Sequence, residues 1–273
     1  MLAALDPSKA FSVEDSWRRE NAPIERELEF DSGPAASFGS LDLRNGGIIG
    51  QTNWRSYRYQ VLQLDLVQLR QSNEVAETTA LEPGGSNLVN LFASLTRRKQ
   101  EEIAGDVRNL IPLFGDVAAR PSAHGHHRLV FQDRWRPEVW FEAHQVSDGT
   151  MLMLAYLTVL RQTTPPELLA IEEPERGLHP YLIGELVRLF RRMSRGEVGG
   201  HVTQIVLATQ SAELLEFAQP EEVRVLTRTP DGGVRVDELP MASPEWDKAL
   251  RAHEGSLSSL WLSGALGGVP GGP

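Results

Sequence analysis

Between residues 146 and 240, short apolar runs alternate with segments of helical period, and this rhythm constrains the fold more than any other feature of the chain. Met151 to Leu160 is apolar almost all round, as a buried helix is. Leu168 to Ile171 is a short apolar run, long enough for a central strand. Pro180 stands where the first turn of a helix tolerates proline, and Leu182, Leu186, Leu189, Phe190 and Met193 continue that helix. Gln204 to Ala208 reads as a second strand and Val223 to Leu226 as a third. Asp231-Gly-Gly233 then turns the chain into a fourth, Val234 to Val236. Apolar strands spaced by helices predict an α/β fold with a mostly parallel, buried sheet.

The remainder is less regular. Residues 1–50 mix charge with Gly, Pro and Ser and form a poorly defined N-terminal segment. Residues 51–145 predict a middle region of helices and a β-hairpin. A strand-like stretch follows Trp54, and Asn87 is placed to cap a helix. Leu88, Leu91, Phe92 and Leu95 lie on one helical face, and Ile103, Val107, Leu110 and Ile111 continue it until Pro112 and Gly115. Leu129–Phe131 and Val139–Phe141 flank a turn. Residues 146–240 carry the main α/β region, and 241–273 form a C-terminal extension.

Composition removes several classes of function. The chain contains no cysteine, which excludes disulfides, thiolate metal sites and cysteine nucleophiles. No apolar run reaches the length of a membrane span, and Met1 to Phe11 lacks the pattern of a secretory signal, so a cytoplasmic location is expected. A net charge of −10 argues against a surface coated for nucleic acid, although a local basic groove stays compatible with it.

The chemistry concentrates after residue 145. The strand Leu168–Ile171 runs into two adjacent carboxylates, Glu172 and Glu173, and ligands of open parallel sheets bind beyond the carboxyl ends of the strands. Neighbouring strand residues point to opposite faces, so one carboxylate can face Mg²⁺ while the other orients or deprotonates a water. Acidic residues at a solvated strand end are the plainer reading of that pair. Ser147 is a natural N-cap for the buried helix, and Gly149 leaves backbone N–H groups open to a phosphate. Gln210 follows the next strand and projects at the same sheet edge, with Ser211 capping what comes after.

Taken in order, Val146-Ser-Asp-Gly-Thr150, Leu168–Glu173, Gly177-Leu-His-Pro180 and Thr209-Gln-Ser211 resemble the signature loop, Walker B, D-loop and switch loop of ABC-type ATPases, in their RecF/SMC/OLD-like branch. The resemblance extends from about residue 85 to 270. It implies the C-terminal part of a P-loop NTPase fold, with ATP and Mg²⁺ as cofactors. It also implies Glu172 on the Mg²⁺ side, Glu173 as general base and Gln210 as γ-phosphate sensor. Ser147, Asp148 and Gly149 would form the loop that meets the ATP of another protomer, with His179 shaping the interface. A homodimer, or a partner carrying Walker A, follows from the same resemblance.

The sequence departs from the family pattern at Val146, Glu172 and Gln210, where Leu, Asp and His are usual. A larger departure is the absence of Gly-x-x-x-x-Gly-Lys-Ser/Thr. The lysines are Lys9, Lys99 and Lys248, preceded by Ser8, Arg98 and Asp247. The chain is therefore expected to be a C-terminal portion, from a fragment, a mis-assigned start or a split pair, and inactive alone. A non-enzymatic regulatory subunit that keeps the fold is the alternative. His124, His126 and His127 read as a surface turn rather than a metal site, and Arg188, Arg191, Arg192 and Arg195 as a solvated helix face.

Overall fold

The structure is a computed structural model that describes residues 2–4, 58–230 and 232–266. Most of the 1–50 segment, Lys9, Trp54, Asp231 and the last residues of the extension lie outside these. The main sheet has six strands: β1 (Leu2–Ala4), β2 (Tyr59–Leu62), β7 (Leu168–Glu172), β8 (Gln204–Ala208), β9 (Val223–Arg228) and β10 (Val234–Glu238). Their order is β10-β9-β1-β8-β7-β2. β2, β7 and β8 are mutually parallel, as their apolar runs predict. β1 pairs antiparallel with both β8 and β9, so β9 runs in the same direction as β8. β10 returns antiparallel along β9.

A second sheet contains β3 (Asn73–Glu74), β4 (Phe114–Pro121), β5 (His126–Asp133) and β6 (Trp140–Glu142). The expected hairpin is β5 with β6, Phe131 opposite Phe141. Four helices follow: α1 (Leu66–Leu69), α2 (Leu88–Ser94), α3 (Arg97–Leu110) and α4 (Asp148–Val159), of which α2 and α3 pack on β4. The single helical face expected from Leu88 to Ile111 is two helices. Leu95 adopts an extended conformation and the Thr96 hydroxyl accepts from the Lys99 N–H, starting a new helix. Asn87 stands at the head of α2 but does not cap it. Its side chain instead accepts from the Glu82 N–H and donates to the Ala80 carbonyl.

In α4 every residue from Gly149 to Val159 is buried, which accounts for its lack of a polar face. Helices α1, α2 and α3 all pack against it. On the other side comes α5 (Pro180–Ser194), with proline at its first turn. Tyr156 of α4 meets Phe190 of α5 edge to face, 5.5 Å between ring centres. A separate core, built on Leu215, Val223, Val225, Leu239, Trp246 and Leu260, joins β9 to α6 (Ala212–Leu215), α7 (Pro244–Ala252) and α8 (Leu257–Leu262).

The arginines of α5 and of its C-cap, Arg195, are largely engaged. Arg188 pairs with Glu185, Arg192 and Arg195 approach Glu197, and Arg191 makes a two-point contact with buried Glu222. No helix among the described residues is long and apolar enough to cross a membrane.

Candidate functional site

The site is built where β7 and β8 end side by side. Glu172 lies opposite Ala208 in the parallel register, and the Glu173 N–H donates to the Ala208 carbonyl at 2.8 Å. The chain then turns sharply. Glu173 has φ 45°, in the left-handed region that non-glycine residues avoid. The Arg176 N–H closes on the Glu173 carbonyl and the Leu178 N–H on the Glu175 carbonyl, with Gly177 at φ 84°. His179 caps α5 through its ring, Nδ1 accepting from the Tyr181 N–H at 3.2 Å. Just beyond the neighbouring strand Thr209 is buried, Gln210 is exposed, and Ser211 caps α6 by accepting from the Leu214 N–H.

Between these two turns is a cleft of about 430 Å³ bordered by Glu173, Glu175, Gly177, Gln210, Ser211 and Glu213, among others. Glu173 and Gln210 therefore come together from separate strands. Glu172, the last residue of β7, is exposed but does not line this cleft; Glu173, in the turn that follows, does.

Ser147, Asp148 and Gly149 open α4. The Ser147 hydroxyl accepts from the Thr150 N–H and shares a 2.8 Å hydrogen bond with the Thr150 hydroxyl. Asp148 pairs with Arg70 at 2.7 Å, and Arg70 also holds the carbonyls of Ala143 and Val146. A Cβ on Gly149 would stand 3.3 Å from the Leu182 side chain and 3.6 Å from the Gly177 carbonyl. The start of α4 thus packs on the turn before α5, bringing Gly149 to the segment that carries His179. Among the described residues no hydrogen bond joins Ser147 to Glu172, Glu173 or Gln210.

Sequence reasoning did not single out Glu175. The Thr209 hydroxyl donates to Glu175 Oε1 at 2.5 Å and accepts from the Ser211 N–H at 2.9 Å. Burial pushes the Glu175 carboxyl above the usual range, and the charges of Glu173 and Glu213 add to this. Its other oxygen, Oε2, is buried without a partner. A third carboxylate in Glu172-Glu-Pro-Glu175 was the available signal, but its partner Thr209 follows another strand, distant in sequence. Beneath it, the Tyr156 hydroxyl donates to the Pro174 carbonyl, and burial raises its pKa.

An exposed carboxylate suits a hard cation such as Mg²⁺, so Glu172 fits as one ligand of that ion. A triphosphate fits less well. The cleft's guanidinium, Arg176, is 3.6 Å from Glu173, and the Lys99 amine donates to the Arg161 carbonyl. Among the described residues no group of three or more His, Asp or Glu side chains could hold a metal ion, the His124–His127 turn included.

Residues 12–216 match the model of the family described as "AAA domain, putative AbiEii toxin, Type IV TA system". The chain belongs to this AAA-domain family. It is therefore a member of an ATPase family, and the α/β sheet described above is its scaffold. A comparison with curated proteins gives no match. Among solved structures, an SMC ATPase characterised for ATP-driven dimerization and DNA-stimulated activation is 15% identical, with TM-score 0.39 over 57% of this chain and 92% of that one. The SMC head domain from Thermotoga maritima is 13% identical with TM-score 0.37, over 56% of this chain and 51% of that one. The Smc head domain from Pyrococcus furiosus, bound to the C-terminal domain of ScpA, is 14% identical with TM-score 0.37, over 57% of this chain and 37% of that one.

Proposed function

We propose that this AAA-domain chain contributes the metal-side, water-activating and partner-facing elements of an ABC-type, ATP-hydrolysing enzyme. The observation that carries this reading is the meeting of Glu173 and Gln210 in one cleft at the ends of two adjacent parallel strands. In this reading Glu172 holds Mg²⁺ together with its water shell. The Glu173 carboxylate takes the proton of the attacking water, and the Gln210 amide contacts the γ-phosphate. Ser147, Asp148 and Gly149, at the head of α4, face the nucleotide held by a second subunit, and His179 shapes that dimer contact.

The chain has no Gly-x-x-x-x-Gly-Lys-Ser/Thr. The phosphate-binding lobe is accordingly assigned to a further segment or a partner subunit. The same observation favours a second reading, a regulatory subunit or gene fragment that keeps the fold without turnover. The DNA upstream of Met1 separates them. A P-loop in frame or in an adjacent gene supports the enzyme, and its absence supports the second reading.

With such a lobe supplied, Glu173→Gln is expected to lower the rate of phosphate release by about 10²–10⁴ while leaving ATP binding intact. Turnover within threefold of the parent would refute Glu173 as the base.

A further inference from the structure

We propose that Glu175 is a positioning residue that clamps Thr209 and thereby holds Gln210 opposite Glu173. The proposal rests on the reading of Glu173 and Gln210 given above. Gln210 makes no hydrogen bond of its own among the described residues, so its neighbours must set its place. Thr209 before it and Ser211 after it are joined by a directional chain. The Ser211 N–H donates to the Thr209 hydroxyl, and that hydroxyl donates to Glu175 Oε1. A hydroxyl that accepts one bond and donates another has a single orientation left. Gln210 is therefore the middle residue of a bracket closed at both ends and anchored on the Glu173 loop.

The anchor is itself held. The Glu173 N–H extends the β7–β8 ladder to Ala208, the residue before Thr209. The Leu178 N–H closes on the Glu175 carbonyl, and the Tyr156 hydroxyl holds Pro174 between the two glutamates. Thr209 is almost fully buried, so water does not compete freely for its hydroxyl. The two loops move together: displacing the Glu173 turn displaces Thr209, and with it the amide of Gln210. A raised pKa for Glu175 agrees with an acceptor kept out of water beside other carboxylates.

The test measures hydrogen exchange of the Ser211 amide by NMR on the full chain, in Glu175→Ala, Glu175→Gln, Thr209→Val and Thr209→Ser. Glu175→Ala and Thr209→Val should speed that exchange about tenfold or more, the loss of roughly one hydrogen bond. Glu175→Gln keeps an acceptor oxygen and Thr209→Ser keeps the hydroxyl, so both should stay within about threefold of the parent. The amides of Ile171 and Leu207 should be unchanged throughout, which separates loss of the clamp from loss of the fold. If Glu175→Ala does not fold, Thr209→Val tests the same bond from its other end.

In the assembly supplied with a phosphate lobe, Glu175→Ala should lower kcat with KM unchanged, and Glu175→Gln should restore most of it. Unchanged Ser211 exchange in Glu175→Ala, or Glu175→Gln behaving as the alanine variant, would overturn the clamp. So would an unchanged kcat in an assembly that Glu173→Gln inactivates. If Glu173→Gln leaves turnover intact, the reading of the site fails instead, and the exchange data alone decide the clamp.

Discussion

Glu173 is held in a conformation that costs a non-glycine residue about 1–2 kcal/mol, at the point where a strand becomes a turn. Glycine adopts it freely. Glu173→Gly should therefore raise unfolding free energy in urea by about 1 kcal/mol, even as it removes the proposed base. An unchanged or lowered midpoint would mean that the Glu173 side chain stabilises the turn by more than its backbone costs.

Glu175 gives a second expectation, in pH. Its folded-state pKa is raised, so between the unfolded value and the raised one the native state binds more protons than the unfolded state. Stability must fall as pH rises through that window and level off above it. Glu175→Gln lacks this component, so the parent should lose stability relative to the glutamine variant as pH rises from the acid side. Urea titrations at several pH values check the sign. The adjacent carboxylates Glu172 and Glu173 were legible in the sequence because they follow an apolar strand directly. Glu175 was not, since its hydrogen-bond partner, Thr209, lies 34 residues further along.

Among the elements, α4, α5, β7 and β8 were legible because the length of each apolar run or stripe suits its element. The break between α2 and α3 was not. Leu95 and Thr96 preserve the spacing of apolar residues while the Thr96 hydroxyl begins a new helix. β4 escaped notice as well, because Gly115 and Pro121 resemble loop punctuation and the strand bulges between Phe114 and Asp116.

Two substitutions test how the helices are set. Gly184 lies inside α5, where alanine would ordinarily gain about 1 kcal/mol. A Cβ there would stand 2.7 Å from the Phe217 ring, so Gly184→Ala should instead destabilise by about 1–3 kcal/mol in thermal or urea unfolding. Ser147→Ala removes the cap of α4 and should cost about 1 kcal/mol, whatever the loop's role toward a partner.

At the scale of the molecule, Arg188, Arg191, Arg192 and Arg195 are each matched by a carboxylate, while the cleft is lined by Glu173, Glu175 and Glu213. An acidic cleft without a glycine-rich cradle repels a triphosphate. Calorimetry on the isolated chain at micromolar concentration should therefore show no tight ATP binding. A dissociation constant in the low micromolar range would reveal a phosphate site beyond the residues described.

The placement of β1 also bears on how the chain is made. Ala3 pairs with Leu207 on one side and Val223 on the other, and it lies between two strands that run the same way. During synthesis this strand emerges long before its partners. At about 5–20 residues per second it waits on the order of 10–40 s for both. Within that interval β2 and β7 can pair once both are made, while β1 has neither β8 nor β9 to pair with. The small core around Trp246 is thus tied to the rest of the sheet by the closure that spans most of the chain, and it should be the last part of a newly made molecule to become resistant to protease.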